Sequence, residues 1–351
     1  MAKQKYYDIG NMLATDAEYM VLLGQRANGK SYQAKKTVLD NAFNNKRKFI
    51  YLRRWKADIT AKAVQAYFDD MDIATLTNDK YDAIYCWNGS IYWATYDDDG
   101  KVVKHEEIGK YCALNEAERY KAWAFKDYDY IIFEEFITDN LYLYEEPTQL
   151  QQFVSTVARL GKLHVIMVGN TLTRVCPYFS EWCLDGVLKQ KQGTIEIYHF
   201  HTDDGIVNIA VEYCANANYK NKMFFGQTAK QIVSGEWDTK DEPKLPKNQS
   251  EYEVVYEVKV TYQKFTFVMQ LMIDKKDGSA LVFVYPYTKK RDILRVVTDQ
   301  FNASRMITAT LDHTRRPEAM IKDCWEQNKF CYSDNLTGAD FKNVQKTYRF
   351  I

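Results

Sequence analysis

The sequence predicts an α/β protein. A mostly parallel sheet flanked by helices carries a phosphate-binding loop, and a small connector leads to a second domain of antiparallel strands and helices. Three observations predict this. Short continuous apolar runs alternate with helix-compatible segments in the first half of the chain, the pattern of strands buried on both faces. The first of those runs leads directly into Gly24-Gln25-Arg26-Ala27-Asn28-Gly29-Lys30-Ser31. Beyond a polar, proline-containing stretch around residue 245, the pattern changes to successive strand-like runs with short turns.

In chain order, EYMVLLG at 18–24 reads as a buried strand ending in glycine, and SYQAKKTVLDNAFNN as the helix after it. KFIYLRR at 48–54, YDYIIFEEF at 128–136 and HVIMVGN at 164–170 are three more apolar strands. Between the second and third lies a different texture. AIYCWNGSIYWATYDDDGKVV at 83–103 sets Asn88-Gly89 between aromatic and β-branched residues, a strong hairpin signal, and reads as an antiparallel excursion from the parallel core. Residues 141–160 read as mostly helix and 206–234 as a small helical connector. The linker is GEWDTKDEPKLPKNQSEYE, 235–253, with two of the six prolines, Pro243 and Pro246. EYEVVYEVKVTY, KFTFVMQLMID and SALVFVYPY then suggest an antiparallel meander, and TRRPEAMIKDCWEQNKF and GADFKNVQKTYRF read as helix. The expected domain limits are 1–205, 206–247 and 248–351.

Bulk properties bound the function classes. A chain of 351 residues suggests two domains. Lys+Arg and Asp+Glu are both 47, so bulk charge announces no polyanion partner, and any basic groove is a local arrangement. The seven cysteines are odd in number and none has CxxC spacing, which disfavours a disulfide framework or structural zinc and suits a reducing cytoplasm. The first residues hold no apolar signal segment, and no stretch approaches eighteen uninterrupted apolar residues, so no membrane span is expected.

Residues 24–31 match G-x-x-x-x-G-K-[ST] at every fixed position. Gly24 and Gly29 let the backbone of Gln25, Arg26, Ala27 and Asn28 fold into a nest whose N–H groups face phosphate oxygens. The helix start at Lys30, Ser31 and Tyr32 adds partial positive charge. Lys30 is expected on the β- and γ-phosphates and Ser31 on Mg²⁺. A triphosphate hydrolase also needs acid at a neighbouring strand end, which YIIFEEF supplies. Glu134 would hold Mg²⁺, directly or through water, and Glu135 would orient or deprotonate the attacking water. Asn170, at the tip of HVIMVGN, is a candidate γ-phosphate sensor. Arg159, at a predicted helix end, and Arg53, Arg54 and Lys56, after the second strand, are candidates to meet charge on the transferred phosphoryl group; each also suits a surface charge.

Together these residues resemble the DNA-packaging ATPases of small tailed phages of the phi-29 type. The resemblance rests on G-x-R-x-x-GKSY at 24–32, FIY-x-RR-x-K at 49–56, I-x-FEEF in the acid motif and N-x(6)-PYF at 170–179, and is clear over about the first 180 residues. It implies an ATPase of the additional-strand, catalytic-glutamate class using ATP and Mg²⁺. It implies a ring of identical subunits, five in the best-known members, stacked on the portal of an empty procapsid in the host cytoplasm and driving double-stranded DNA inward. In some members a structural RNA helps attach the ring. Glu135 takes the place of the catalytic glutamate, and Glu134 stands where aspartate is common. Arg159 aligns with a trans-acting arginine across a one-residue gap. Lys56 matches, without a gap, a lysine near the neighbouring subunit's nucleotide. The carboxyl-terminal domain is implied to be ribonuclease-H-like and without nuclease activity.

Two other readings remain open from sequence. In a terminase-like enzyme the second domain would cut DNA with two metals, for which Asp274, Asp277, Asp292 and Asp299 are the candidate ligands. In an assembly switch, hydrolysis would gate assembly without translocation. The run Lys289-Lys290-Arg291 is a candidate contact for DNA phosphate or portal protein.

Overall fold

The computed structural model describes residues 7–138, 140–159, 161–215, 241–288 and 292–351. The chain divides into two compact units. The first comprises residues up to 138, 142–171 and 177–236; the second comprises 139–141, 172–176 and 237–351.

After a short helix α1 (Gly10–Leu13), the first unit is built on a nine-stranded sheet. Its strands are β1 (Tyr19–Gly24), β2 (Lys48–Arg53), β3 (Ala83–Trp87), β4 (Ser90–Tyr96), β5 (Val102–Ala113), β6 (Tyr128–Glu134), β7 (His164–Asn170), β8 (Thr194–Thr202) and β9 (Gly205–Tyr213), in the order β3-β4-β5-β2-β6-β7-β1-β9-β8. From β5 to β9 every neighbouring pair is parallel. Parallel strands release their carboxyl ends at one edge, where ligands of such sheets bind. Register sets which residues meet there: Gly24 lies opposite Asn170, and Glu134 opposite Val168 two residues earlier.

Helix α2 (Lys30–Asn44) runs back along the sheet and buries Ala34, Val38, Leu39 and Ala42, the spacing of one helical face. Full burial of such valine and leucine side chains contributes roughly 1.5–3 kcal/mol each. The remaining helices of this unit are α3 (Ala61–Phe68), α4 (Ile73–Leu76), α5 (Glu146–Ala158) and α6 (Pro177–Glu181).

The expected hairpin turns at Asn88 and Gly89, both with positive φ, but it does not leave the parallel core. Its third strand, β5, swings back and pairs parallel with β2, so the hairpin lengthens the same sheet. Close approach at Gly109 makes this possible: a Cβ there would lie 2.4 Å from the Phe49 carbonyl oxygen.

One expectation fails. Residues 206–213 are not part of a helical connector; they form β9, hairpin-paired with β8 and parallel to β1, so the first unit passes the expected limit at 205. The signal was present in Asp204-Gly205 between two alternating runs, with Gly205 at φ 137°. The rest of that connector, 216–234, and the linker's first residues, 235–240, lie outside the described residues.

The second unit has a six-stranded sheet, ordered β14-β13-β10-β11-β12-β15. As expected, β10 (Tyr252–Tyr262), β11 (Phe265–Asp274) and β12 (Ala280–Pro286) form an antiparallel meander. Three short strands too brief to show a period in sequence join it in parallel: β13 (Val296–Thr298), β14 (Ile307–Thr308) and β15 (Phe330–Tyr332). Helices α7 (Arg316–Glu326) and α8 (Asn335–Tyr348) bury Ile321, Cys324, Phe341 and Val344. Lys289-Lys290-Arg291 lies outside the described residues. No helix among the described residues is long and apolar enough to cross a membrane.

Gly109→Ala sets a methyl group against the Phe49 carbonyl and forces β2 and β5 apart. We expect a loss of about 2–4 kcal/mol in chemical denaturation, the range of overpacking plus a strained ladder; a loss under about 0.5 kcal/mol would contradict the close approach.

Candidate active site

The loop after β1 folds as a nest because Gly24, Ala27 and Gly29 all have positive φ, at 147°, 59° and 100°. Ala27 pays about 1–2 kcal/mol for its left-handed backbone. Gly29 is the N-cap of α2 and has no side chain to cap it; Asn28 Oδ1 accepts from Lys30 N at 3.2 Å, which leaves the Ser31 and Tyr32 N–H groups to a ligand. A cleft of about 650 Å³ opens over this turn, lined by residues 26–33 with Lys35, Asp70 and Asn170.

Lys30 is only 4% exposed, and its ammonium donates to the Gln25 carbonyl at 2.7 Å, to Asn28 Oδ1 at 3.2 Å and to Asn170 Oδ1 at 3.5 Å. All three acceptors are neutral. Burial pushes the Lys30 ammonium down to about 8, against smaller opposing effects of Cys214 and Glu134. A desolvated cation facing neutral oxygens is matched by a phosphate anion. Asn170, at the tip of β7, thus shares that ammonium with the loop. Arg26 and Tyr32 line the same cleft with exposed side chains, and Gln25 Oε1 and Asn28 Nδ2 are buried without a partner.

Glu134, the last residue of β6, is buried. It accepts from Tyr67 Oη at 2.7 Å, and the nearby Ser31 hydroxyl favours its charged form. Burial pushes its carboxyl up, opposed by the Tyr67 and Ser31 hydrogen bonds, Arg53 and Lys30. The hydroxyl and the carboxylate thus meet beside the nest, a donor set of hard oxygens that suits Mg²⁺. Tyr67 was not visible from sequence. It sits on α3, stacks on Tyr51 at 4.4 Å, and its carbonyl accepts from Lys35, which also pairs with Asp70 at the cleft.

Glu135 leaves the strand. It sits in a turn at φ 58°, which costs about 1–2 kcal/mol and re-aims the side chain away from that of Glu134. That side chain is 59% exposed, and its Oε2 pairs with Arg53 Nη2 at 2.6 Å. Arg54 is buried rather than a surface charge or a free finger. It forms two hydrogen bonds with Glu146, at 2.6 and 2.9 Å, and donates to the carbonyls of Glu135 at 3.1 Å and Phe136 at 2.7 Å. Glu146 also accepts from Tyr178 Oη at 2.8 Å, which explains the tyrosine of the PYF motif. Removing one partner of such a buried pair costs about 3–5 kcal/mol. Pro147 signalled a helix start in sequence, but nothing marked Glu146 as buried.

Lys56 and Arg159 stand apart from this cluster. Lys56 opens a short 3-10 turn (Lys56–Asp58), is half exposed and lies 3.5 Å from Glu116. Arg159 is the exposed C-cap of α5 and, among the described residues, makes no ion pair.

The model of the podovirus DNA encapsidation protein (Gp16) family matches residues 1–322 of the chain. The DNA packaging proteins of Bacillus phage PZA and Bacillus phage phi29 are each 22% identical over 317 residues, covering 88% of this chain and 87% of theirs. A chain of the bacteriophage phi-29 viral genome packaging motor assembly superposes with a TM-score of 0.56 at 18% identity, over 97% of this chain and 99% of that one. That likeness establishes a common fold.

Lys30→Ala removes the buried ammonium from the nest. Affinity for a fluorescent triphosphate analogue is expected to fall at least 100-fold, about 2.7 kcal/mol; an unchanged titration would contradict the phosphate-loop assignment. Tyr67→Phe frees Glu134 from its tether, and we expect the Mg²⁺ concentration for half-maximal activity to rise several-fold, with no change counting against that role.

Proposed function

Since the chain belongs to the podovirus DNA encapsidation protein (Gp16) family, we propose that it is an ATP-driven motor moving double-stranded viral DNA into a preformed procapsid. The observation that carries this reading is the convergence of Lys30, Ser31, Glu134, Glu135 and Asn170 at the carboxyl edge of neighbouring parallel strands.

In this reading the loop N–H groups and Lys30 hold the β- and γ-phosphates of ATP. Ser31 and Glu134 would hold Mg²⁺, which when bound neutralises charge on the phosphate oxygens. Arg53 occupies Glu135 Oε2, so Oε1 is the atom free of that pair to accept a proton from the attacking water. Asn170 reads the γ-phosphate through its contact with Lys30.

The site is completed from outside. Arg159 and Lys56 are exposed cations that, among the described residues, make no ion pair with the chain's own Lys30 cluster, which suits action on a neighbour's nucleotide. A closed ring of identical subunits, five by the resemblance, gives every site such a neighbour. The ring would work in the host cytoplasm, docked on the portal, with a structural RNA as a further partner to test.

The second unit is read as a non-nuclease domain. Asp274 pairs with Lys247 at 2.5 Å and caps Lys276 N, and Asp277 caps Ser279 N in the same turn. Asp299 follows β13 and Asp292 lies in the preceding loop. Asp274 and Asp277 are thus committed to Lys247 and to contacts within their own turn, which favours the motor over a terminase-like cutter.

Glu135→Gln is expected to lower kcat at least 1,000-fold, about 4 kcal/mol, with nucleotide affinity within threefold; residual full activity would remove Glu135 from the mechanism. Mixing Lys30→Ala with Arg159→Ala subunits should restore part of the hydrolysis that neither shows alone, and complete absence of restoration would count against a shared site. Plasmid incubated with Mn²⁺ and the wild-type protein should stay supercoiled; cleavage would revive the nuclease reading.

A further inference from the structure

We infer that Arg54 and Glu146 are positioning residues for catalysis: their buried pair holds the main chain at Glu135 and ties it to the helix that ends in Arg159. This rests on the reading of Glu135 as the catalytic base and Arg159 as the residue offered to a neighbouring subunit.

The geometry is that of a clamp with no slack. One face of the Arg54 guanidinium forks onto Glu146, with Nε to Oε2 at 2.6 Å and Nη2 to Oε1 at 2.9 Å. The other N–H groups reach the two carbonyls that leave the sheet after β6, Glu135 O at 3.1 Å and Phe136 O at 2.7 Å. Glu146 is equally committed: Oε2 also accepts from Leu143 N at 2.9 Å, and Oε1 from Tyr178 Oη at 2.8 Å. The side chains of Arg54 and Glu146 are 5% and 0% exposed, and the guanidinium lies 4.8 Å from the Tyr142 ring.

Apolar side chains can fill such a space with equal stability. What they cannot do is hold the carbonyls of Glu135, which sits in a left-handed turn, and of Phe136 after it. The pair therefore fixes where Glu135 stands. Glu146 also opens α5, so the clamp joins the catalytic turn to a rigid rod of thirteen residues, about 20 Å long, with Arg159 at its far end. A shift of the Glu135 turn moves Arg159 with it, and a neighbour's nucleotide drawing on Arg159 bears on Glu135. One subunit's chemistry is in this way coupled to the next through packed, hydrogen-bonded groups.

The test uses the full-length protein and the double variant Arg54→Leu/Glu146→Leu, with Glu146→Gln beside it. Melting temperature, affinity for a fluorescent non-hydrolysable ATP analogue, KM and kcat are measured for each. A folded double variant should keep analogue affinity and KM within threefold and lose at least tenfold in kcat. A smaller kcat loss in the folded variant overturns the inference, because a merely structural pair is replaceable by apolar packing. If the double variant does not fold, Glu146→Gln decides, since it keeps volume and one acceptor oxygen: at least a threefold loss in kcat at unchanged KM supports the role, and a smaller loss overturns it. Absence of hydrolysis by the wild-type protein would instead sink the functional reading itself.

Discussion

The constraint on which the rest depends is the parallel register of β1, β6 and β7. Pairing fixes where neighbouring strands end relative to one another: Gly24 lies level with Asn170 and Glu134 two residues short of it, so all three reach the same edge. A slip of one residue in β6 would turn Glu134 to the opposite face and bury nothing but charge. The apolar side chains that fix the register, Val21, Leu22, Ile131, Ile132, Val165 and Ile166, are buried on both faces. Catalytic geometry at this edge is thus a consequence of core packing.

On that edge, desolvation sets the chemistry. Lys30 and Glu134 are both buried, and burial moves each toward its neutral form. Neither is neutralised by a direct ion pair with the other; hydroxyl, amide and carbonyl partners hold them. A charged phosphate and a divalent cation supply what these groups lack. Glu135 differs: it is exposed, set by a strained turn, and gripped from two sides, by Arg53 at its carboxylate and Arg54 at its carbonyl. Two arginines that are neighbours in sequence thereby act on one residue by different means.

Much of this was legible in the sequence, and the reasons are physical. The phosphate loop has a fixed length because its backbone makes the contacts, so spacing alone identifies it. Buried parallel strands lack polar alternation, which made β1, β2, β6 and β7 readable. What stayed hidden depended on distance in sequence: Arg54 and Glu146 are 92 residues apart, and Tyr67 and Glu134 are 67 apart. Nothing local distinguishes a buried arginine from a surface one. The β8–β9 hairpin was missed although Asp204-Gly205 signalled it, because its outer strand, half exposed at the sheet edge, carries no apolar run.

In the proposed motor, hydrolysis at Glu135 drives DNA into the procapsid. The most direct measurement is nuclease protection of genome-length DNA mixed with purified procapsids, ATP and this protein. Protected DNA is expected with the wild-type chain and ATP, and none with Glu135→Gln or with a non-hydrolysable analogue. Full protection under either of those conditions would contradict it.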